Sequence, residues 1–232
     1  MTLEGALQLS DKSRTLYGFR FRGVSFERGL IVPSDKEGAV NTSLSLLPDK
    51  HVPGQYVFTI FSTTASTSWT KHCHGKVLPE DTSELQSEFE ESVVDVQWSE
   101  QRQHYQPLAN NDAAEFVDVD DFYDHLHKIG MEYGPMFRNV VSLQAIPSSK
   151  TPHGAVIIPD TKSSMPEEFE YPHTMHAATM DTVFHLLLVE FNDGRPVNEA
   201  AAPYSISDIF VAAGQPLEAG TSFLGWSIDI QE

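Results

Sequence analysis

Residues 174–190 constrain the fold more than any other part of the chain. Wound as a helix, this segment leaves almost no polar face, because it contains Met175, Ala178, Val183 and Phe184 and then, after His185, three consecutive leucines. A helix that is apolar nearly all round is stable only when other elements bury it. The rest of the chain must therefore supply a surface that covers this helix.

Runs of aromatic and β-branched residues, bounded by glycine and proline, are typical of antiparallel strands that supply such a surface. One predicted strand contains Phe19, Phe21, Val24 and Phe26. The other predicted strands are 41–47, 56–62, 69–77, 137–146, 155–158, 204–211 and 223–230. The pattern predicts an α+β fold with an antiparallel sheet.

The middle of the chain has a different character. Residues 82–100 are acidic and compatible with a helix, and residues 101–111 are polar and loop-like. Residues 118–129 begin with acidic side chains and are followed by Gly130, a pattern that predicts a short helix with a glycine after its end. We expect an N-terminal half at 1–100, a linker at 101–117 and a C-terminal half at 118–232.

The charge balance excludes several partners. The chain has 15 basic and 33 acidic residues, a formal charge of −18, which disfavours binding to nucleic acid and to anionic membranes. No apolar stretch approaches the about 20 residues that span a bilayer. The single cysteine, Cys73, excludes an internal disulfide framework and suits a reducing compartment. We expect a soluble, cytoplasmic protein.

Three stretches resemble the dehydratase domain of polyketide synthases, especially the fungal highly reducing type. They are FTIFSTTASTSWTKHCHGKV at 58–77, GMEYGPMFRNV at 130–140, and YPHTMHAATMDTVFH at 171–185 followed by APYSISDIFV at 202–211. The resemblance implies a double hotdog, in which antiparallel sheets wrap buried central helices and a tunnel holds a carrier-bound acyl chain. It also implies loss of water from a β-hydroxyacyl thioester, without a cofactor.

The resemblance assigns roles to particular residues. Asp181 matches the acid that protonates the leaving hydroxyl, and His185 matches the position that supports this acid. Positions i and i+4 share a helix face, so the two side chains can meet. Tyr133 and Pro135 match the turn near the tunnel. His176 matches the histidine ahead of the helix, although Ala177 stands where the family has proline. We expect these three to bind substrate.

The histidine base of the family is missing. None of the ten histidines is followed by glycine at i+4 and proline at i+9, the spacing that carries the base in the family. The opening MTLEGALQ resembles a segment inside the first hotdog helix, and the chain stops near the first of several closing strands. The resemblance therefore implies a domain truncated at both ends.

Three functions follow from this departure. The first is a free-standing descendant that cyclises or isomerises an apolar polyketide or terpenoid-like substrate, including by pericyclic closure, rather than removing water. The second is part of a polyketide synthase dehydratase that acts on a thioester held by an acyl carrier protein. The third is a non-catalytic scaffold remnant. Because exposed sheet edges need a cover, we expect a homodimer, or a rearranged terminus that covers the edge.

The sequence His72-Cys73-His74 places two histidines on one face of a strand, which is a weak metal signal. No third or fourth ligand has a matching spacing, so we expect no metal site. Cys73 is expected to be a small core residue.

Overall fold

The computed structural model describes residues 1–33, 39–64, 68–81, 90–146, 151–190 and 197–227. The chain divides into two compact units, one formed by residues 1–90 with 202–214 and the other by residues 91–201 with 215–232. The helices are α1 (Thr2–Leu9), α2 (Glu90–Ala109), α3 (Val119–Lys128), α4 (Ala177–Phe184) and α5 (Leu187–Glu190). The strands are β1 (Leu16–Phe26), β2 (Asn41–Pro48), β3 (Tyr56–Thr63), β4 (Thr70–Asp81), β5 (Glu115–Phe116), β6 (Val140–Ile146), β7 (Thr151–Ile157), β8 (Ser205–Ala212) and β9 (Ser222–Trp226).

The first unit is a five-stranded antiparallel sheet with α1 against it. The strand order is β2-β3-β4-β1-β8. Helix α1 buries Leu3 and Ala6. Gly5 permits this packing, since a Cβ at that position would lie less than 3 Å from the ends of Leu44 and Leu46 on β2. Small residues on the helix therefore let the sheet approach closely.

The second unit packs α3, α4 and α5 with a four-stranded antiparallel sheet of order β5-β6-β7-β9. Its core includes Phe122 and Leu126 of α3, Leu143 of β6 and Val189 of α5, all nearly inaccessible to solvent. Gly154 of β7 is required for the strand pairing, because a Cβ there would lie 2.1 Å from the Ser142 carbonyl oxygen. Each unit thus combines helix and antiparallel sheet, as the sequence predicts.

The predicted short helix is confirmed. Helix α3 begins after Asp118, whose carboxylate accepts hydrogen bonds from the backbone N–H groups of Asp120 and Asp121. Gly130 follows with a positive φ of 91°, a conformation that glycine adopts without strain. The acidic first turn also faces the positive end of the helix dipole.

The predicted helix at 174–190 is wrong in one respect, because it is broken into α4 and α5. The Thr182 hydroxyl donates to the Ala178 carbonyl at 2.8 Å, a side-chain bond that bends helices. After it, the N–H of His185 bonds to Thr182 and that of Leu188 bonds to His185, three residues back instead of four. The helix is also less enclosed than predicted, since Val183 is 42% exposed.

Residues 101–109 are helical and continue α2, where the sequence analysis predicts a loop. The polar residues responsible for that prediction include glutamine and arginine, which are good helix formers. Strand β8 pairs with β1 of the first sheet, although the predicted boundary places it in the C-terminal half. The predicted limits of the two halves stay a prediction.

Most other strands agree with prediction to within a few residues. Strand β6 begins later than predicted, at Val140, because Pro135–Phe137 form a 3₁₀ turn. Of the predicted strand 223–230, residues 228–230 lie outside the described residues, as do 82–89 of the predicted acidic helix. No helix in the described residues has both the length and the hydropathy to cross a membrane.

Candidate active site

Asp181 and His185 lie one turn apart at the end of α4 and are in contact. The Nε2 atom of His185 is 3.2 Å from Oδ2 of Asp181. The i, i+4 spacing predicts contact between the two side chains, and the structure confirms this contact. The bend after Thr182 leaves His185 as the residue that closes the helix.

The two side chains differ in their access to solvent. Only 2% of the His185 side chain is exposed, compared with 47% of the Asp181 side chain. Within the described part of the chain, Oδ1 of Asp181 makes no hydrogen bond. The site therefore combines a buried imidazole with a carboxyl group that is about half exposed to solvent and has one oxygen without a partner in the described residues.

The other ring nitrogen of His185 is held by Tyr123 of α3. Their contact, from Tyr123 Oη to His185 Nδ1, measures 3.0 Å. The backbone N–H of Val140 donates to the same tyrosine oxygen at 3.2 Å. Burial raises the pKa of Tyr123 to about 12, so its hydroxyl stays protonated. Tyr123 is not among the predicted site residues, because nothing in the sequence of α3 distinguishes it from a core aromatic.

Tyr133 lies against the same imidazole. Its ring centroid is 4.2 Å from that of His185. Burial, and then the negative charge of Asp181, raise the pKa of Tyr133, which keeps its hydroxyl a proton donor. That hydroxyl has no hydrogen-bond partner among the residues that the structure describes. Tyr133 therefore offers a free donor beside the Asp181–His185 pair.

The turn that carries Tyr133 and Pro135 is tied to α4. Pro135 begins the 3₁₀ turn Pro135–Phe137. The amide of Asn139 donates to the Met136 carbonyl at 2.7 Å and to the Thr182 hydroxyl at 3.2 Å. These bonds fix the turn beside the residue that follows Asp181.

His176, a predicted substrate-binding residue, is occupied on both ring nitrogens. Its Nδ1 accepts a hydrogen bond from the N–H of Ala178 and caps α4, and its Nε2 lies 3.3 Å from the Glu170 carboxylate. The pKa of His176 is lowered, and burial of the imidazole is the main cause. His176 also borders a small pocket together with Thr179 and Phe223, and Asp181 is not among the residues that line it. The structure therefore shows a capping role, and substrate binding stays a prediction.

Comparison with known proteins decides the family. The family model described as "Polyketide synthase dehydratase N-terminal domain" matches residues 102–224, more than half of the chain. The chain belongs to the polyketide synthase dehydratase family. This membership, together with the fold, makes it a dehydratase-like domain of the kind used in secondary metabolism.

Curated relatives of this dehydratase-family chain are fungal synthases. It is 37% identical over 226 residues to the highly reducing polyketide synthase alnA of Emericella nidulans, covering 97% of this chain and 9% of the relative. It is 30% identical over 227 residues to the highly reducing polyketide synthase tstA of Talaromyces stipitatus, covering 92% and 9%. The chain thus spans less than a tenth of the length of these relatives.

Solved structures show that the fold is the dehydratase double hotdog. The dehydratase domain from the CurF module of the curacin polyketide synthase has a TM-score of 0.68 at 16% identity, covering all of this chain and 71% of that one. The dehydratase domain from the CurK module has a TM-score of 0.65 at 17% identity, covering 99% and 68%. At this identity the likeness concerns the fold alone.

His72 and His74, the two histidines in the motif at 58–77, both contact other groups of the protein. His72 Nε2 is 2.6 Å from the Ser62 hydroxyl, and its Nδ1 is 2.9 Å from the Arg28 carbonyl oxygen. His74 lies 3.1 Å from the Glu27 carboxylate. Cys73 is buried, and burial raises the pKa of its thiol. Among the described residues, no group of three or more potential ligands could hold a metal ion.

Proposed function

We propose that Asp181 is the proton donor of a dehydratase-type site that acts on a polyketide acyl chain. The observation that carries the proposal is the contact of its Oδ2 with the buried His185, together with the lack of a partner for Oδ1 in the described residues. A general acid needs a fixed carboxyl group with one oxygen open to substrate. Tyr133 supplies a second donor at the same place.

The chemistry of this site is proton transfer to a substrate oxygen. In elimination, a base removes the α-proton of a β-hydroxyacyl thioester, and Asp181 gives its proton to the β-hydroxyl, which leaves as water. In ring closure or isomerisation, the same carboxyl group donates to a carbonyl or ether oxygen and later recovers the proton. His185 steadies the carboxyl group in both cases.

We favour cyclisation or isomerisation of an apolar polyketide or terpenoid-like substrate, including pericyclic closure. The sequence observation that supports it is that no histidine has the spacing of the family's base. A site that fits the folded substrate accelerates an intramolecular ring closure largely by holding the substrate in its reactive conformation, and a single polar group assists. Elimination from a thioester on an acyl carrier protein is the second candidate, and the family supports it equally.

The test compares two pantetheine thioesters as substrates of the purified chain. One is a β-hydroxyacyl thioester, and the other is an α,β-unsaturated thioester that carries a remote hydroxyl for ring closure. We expect no enoyl thioester from the first, and from the second a cyclic or double-bond-shifted product that depends on Asp181. The matched control is Asp120→Asn, an exposed carboxylate on α3, which should leave product formation unchanged.

Two other outcomes would favour the two alternative functions. Formation of the enoyl thioester by the pure chain would establish elimination and overturn the preference for closure. Binding of neither thioester would support the non-catalytic scaffold and overturn the proposal as a whole.

A further inference from the structure

Tyr123 is held rigidly beside His185. It lies on α3, is only 3% exposed, and packs edge-on against Phe122 at a centroid distance of 5.1 Å. The Arg138 guanidinium covers its ring at 4.9 Å and forms an ion pair with Asp124 at 3.7 Å. The ring therefore has one position, and its hydroxyl is directed at the imidazole.

A count of protons then fixes the hydrogen bonds of this hydroxyl. The tyrosine oxygen accepts from the Val140 N–H and keeps its single proton, since the pKa of Tyr123 is raised to about 12 by burial. Among the described residues, the acceptor for that proton is Nδ1 of His185, at 3.0 Å. Nδ1 must therefore be the unprotonated nitrogen of the neutral ring.

The other end of the imidazole follows from this assignment. With Nδ1 as acceptor, a neutral His185 carries its proton on Nε2 and donates it to Oδ2 of Asp181, 3.2 Å away. The opposite tautomer would turn a lone pair toward Asp181, which would repel the ionised carboxylate and would draw the proton of the acid form to the imidazole and away from substrate. Donation to Oδ2 leaves Oδ1 as the oxygen that holds the proton for transfer.

We propose that Tyr123 is a positioning residue that fixes the Nε2–H tautomer of His185 and thereby orients the Asp181 carboxyl group. The proposal rests on the proposed function of Asp181 and deepens it. Hydrogen bonds run in one direction, from the Val140 N–H through the Tyr123 hydroxyl and the imidazole to Asp181. The partner of a functional histidine sets which of its nitrogens carries the proton, so loss of the Tyr123 hydroxyl should act on Asp181 through His185.

The first test measures the tautomer directly. Nitrogen-15 NMR of the full chain, under conditions where the imidazole is neutral, separates the protonated from the unprotonated ring nitrogen. We expect the wild type to carry the His185 proton on Nε2, and Tyr123→Phe to give a mixture of tautomers. The matched control is Thr182→Val, which also removes a buried, hydrogen-bonded hydroxyl next to Asp181 and should keep the Nε2–H form.

The second test removes the imidazole through which Tyr123 is proposed to act. His185→Ala takes away both ring nitrogens, so the Tyr123 hydroxyl can no longer influence Asp181 through them. We expect Tyr123→Phe to lower kcat by about 10- to 100-fold in the wild type, with KM little changed, as for other lost orienting partners. In the His185→Ala background the same change should cost less than about 3-fold.

The outcomes separate this proposal from the proposed function. An unchanged Nε2–H tautomer in Tyr123→Phe would overturn the positioning role, and so would an equal loss of kcat in the two backgrounds. A shifted tautomer in Tyr123→Phe, combined with turnover that does not depend on Asp181, would support the hydrogen-bond assignment and contradict the proposed function alone. The tautomer measurement needs no substrate, so it decides the role of Tyr123 in every case.

Discussion

At the scale of single residues, the side chains around His185 divide into two kinds. Tyr123 and His185 are buried and have partners on both sides. Asp181 and Tyr133 are partly exposed, and each has a polar group without a described partner. Buried polar groups with full hydrogen bonding give rigidity, whereas unpaired groups at a surface are free to bind a ligand. The second kind should therefore contact the substrate.

Tyr133→Phe tests the substrate contact of the free hydroxyl. It removes a group that makes no hydrogen bond in the described structure, so the thermal midpoint should stay nearly unchanged. If the hydroxyl binds a substrate oxygen, kcat/KM should fall by about 3- to 10-fold, the value of one hydrogen bond. Tyr105→Phe in α2 is the control and should leave kcat/KM as in the wild type. Equal kcat/KM in the Tyr133 variant would exclude this contact.

The sequence identifies some of these residues and not others, for a physical reason. Asp181 and His185 are one helical turn apart, so their contact follows from helix geometry alone. The role of Tyr123 depends on His185, 62 positions later, and nothing in local periodicity separates such a tyrosine from a core aromatic. Family resemblance also marks His176 as a substrate-binding residue, although its hydrogen bonds are those of a helix cap.

At the scale of elements, the sequence predicts features that depend on neighbouring residues. It does not predict features that depend on contacts between residues distant in the chain. The cap at Asp118 and the glycine after α3 are local, so the helix is predictable within one residue. The break between α4 and α5 depends on Thr182, whose hydroxyl accepts from Asn139 in a loop 43 residues earlier. The pairing of β8 with β1 joins residues that are far apart in sequence, from Ser25 with Ser205 to Gly18 with Ala212, and no local pattern contains that information.

Capping of α4 by His176 gives a stability prediction. His176→Ala removes both the cap to Ala178 and the contact with Glu170, so the free energy of unfolding should fall by about 1 kcal/mol. His176→Asn keeps an N-cap acceptor and should lose much less. Urea unfolding of the two variants measures the difference. Equal losses would show that the cap has no effect, and lost substrate binding in a stable His176→Asn would confirm the predicted binding role.

Two histidines of the second unit, the buried His153 and the partly buried His176, predict a dependence of stability on pH. Burial lowers the pKa of His153 on β7 as well as that of His176. A histidine with a lowered pKa in the folded state resists protonation, while the unfolded chain takes up protons near its ordinary pKa of about 6.5. The unfolded state then binds more protons, so stability should fall as the pH decreases below about 7.

Thermal unfolding between neutral and mildly acidic pH checks this dependence. The double variant His153→Gln, His176→Asn lacks both groups and should show a smaller decrease of the thermal midpoint toward acidic pH than the wild type. The exposed His51 supplies the control, and His51→Gln should keep the wild-type slope. If the thermal midpoint of the double variant fell with pH as steeply as that of the wild type, the pH dependence could not be attributed to His153 and His176.

At the scale of the whole molecule, the edges of the two sheets bear on assembly. In the described residues, β2 and β9 are edge strands, and each exposes a leucine: Leu47 is 62% exposed and Leu224 is 61% exposed. Edge strands with exposed apolar residues favour association. We therefore predict a homodimer, in spite of the repulsion expected from a charge of −18.

Light scattering of the purified chain tests the dimer. Lysine on an edge strand opposes strand pairing, so Leu47→Lys or Leu224→Lys should shift the chain toward monomer. Leu9→Lys, at an exposed position on α1, is the matched control and should leave the mass unchanged. A monodisperse wild-type monomer would contradict the prediction, and a dimer insensitive to both edge variants would place the interface elsewhere.

The central claim is that Asp181 carries the chemistry, and Asp181→Asn tests it most directly. The swap keeps the shape of the side chain but removes its acidic proton, so folding should change little. Turnover of the thioester that the wild type converts should fall by about 10²- to 10⁴-fold, the usual contribution of a general acid, with the thermal midpoint preserved. Wild-type turnover by Asp181→Asn would contradict the claim, and so would a lowered thermal midpoint with unchanged activity per folded molecule.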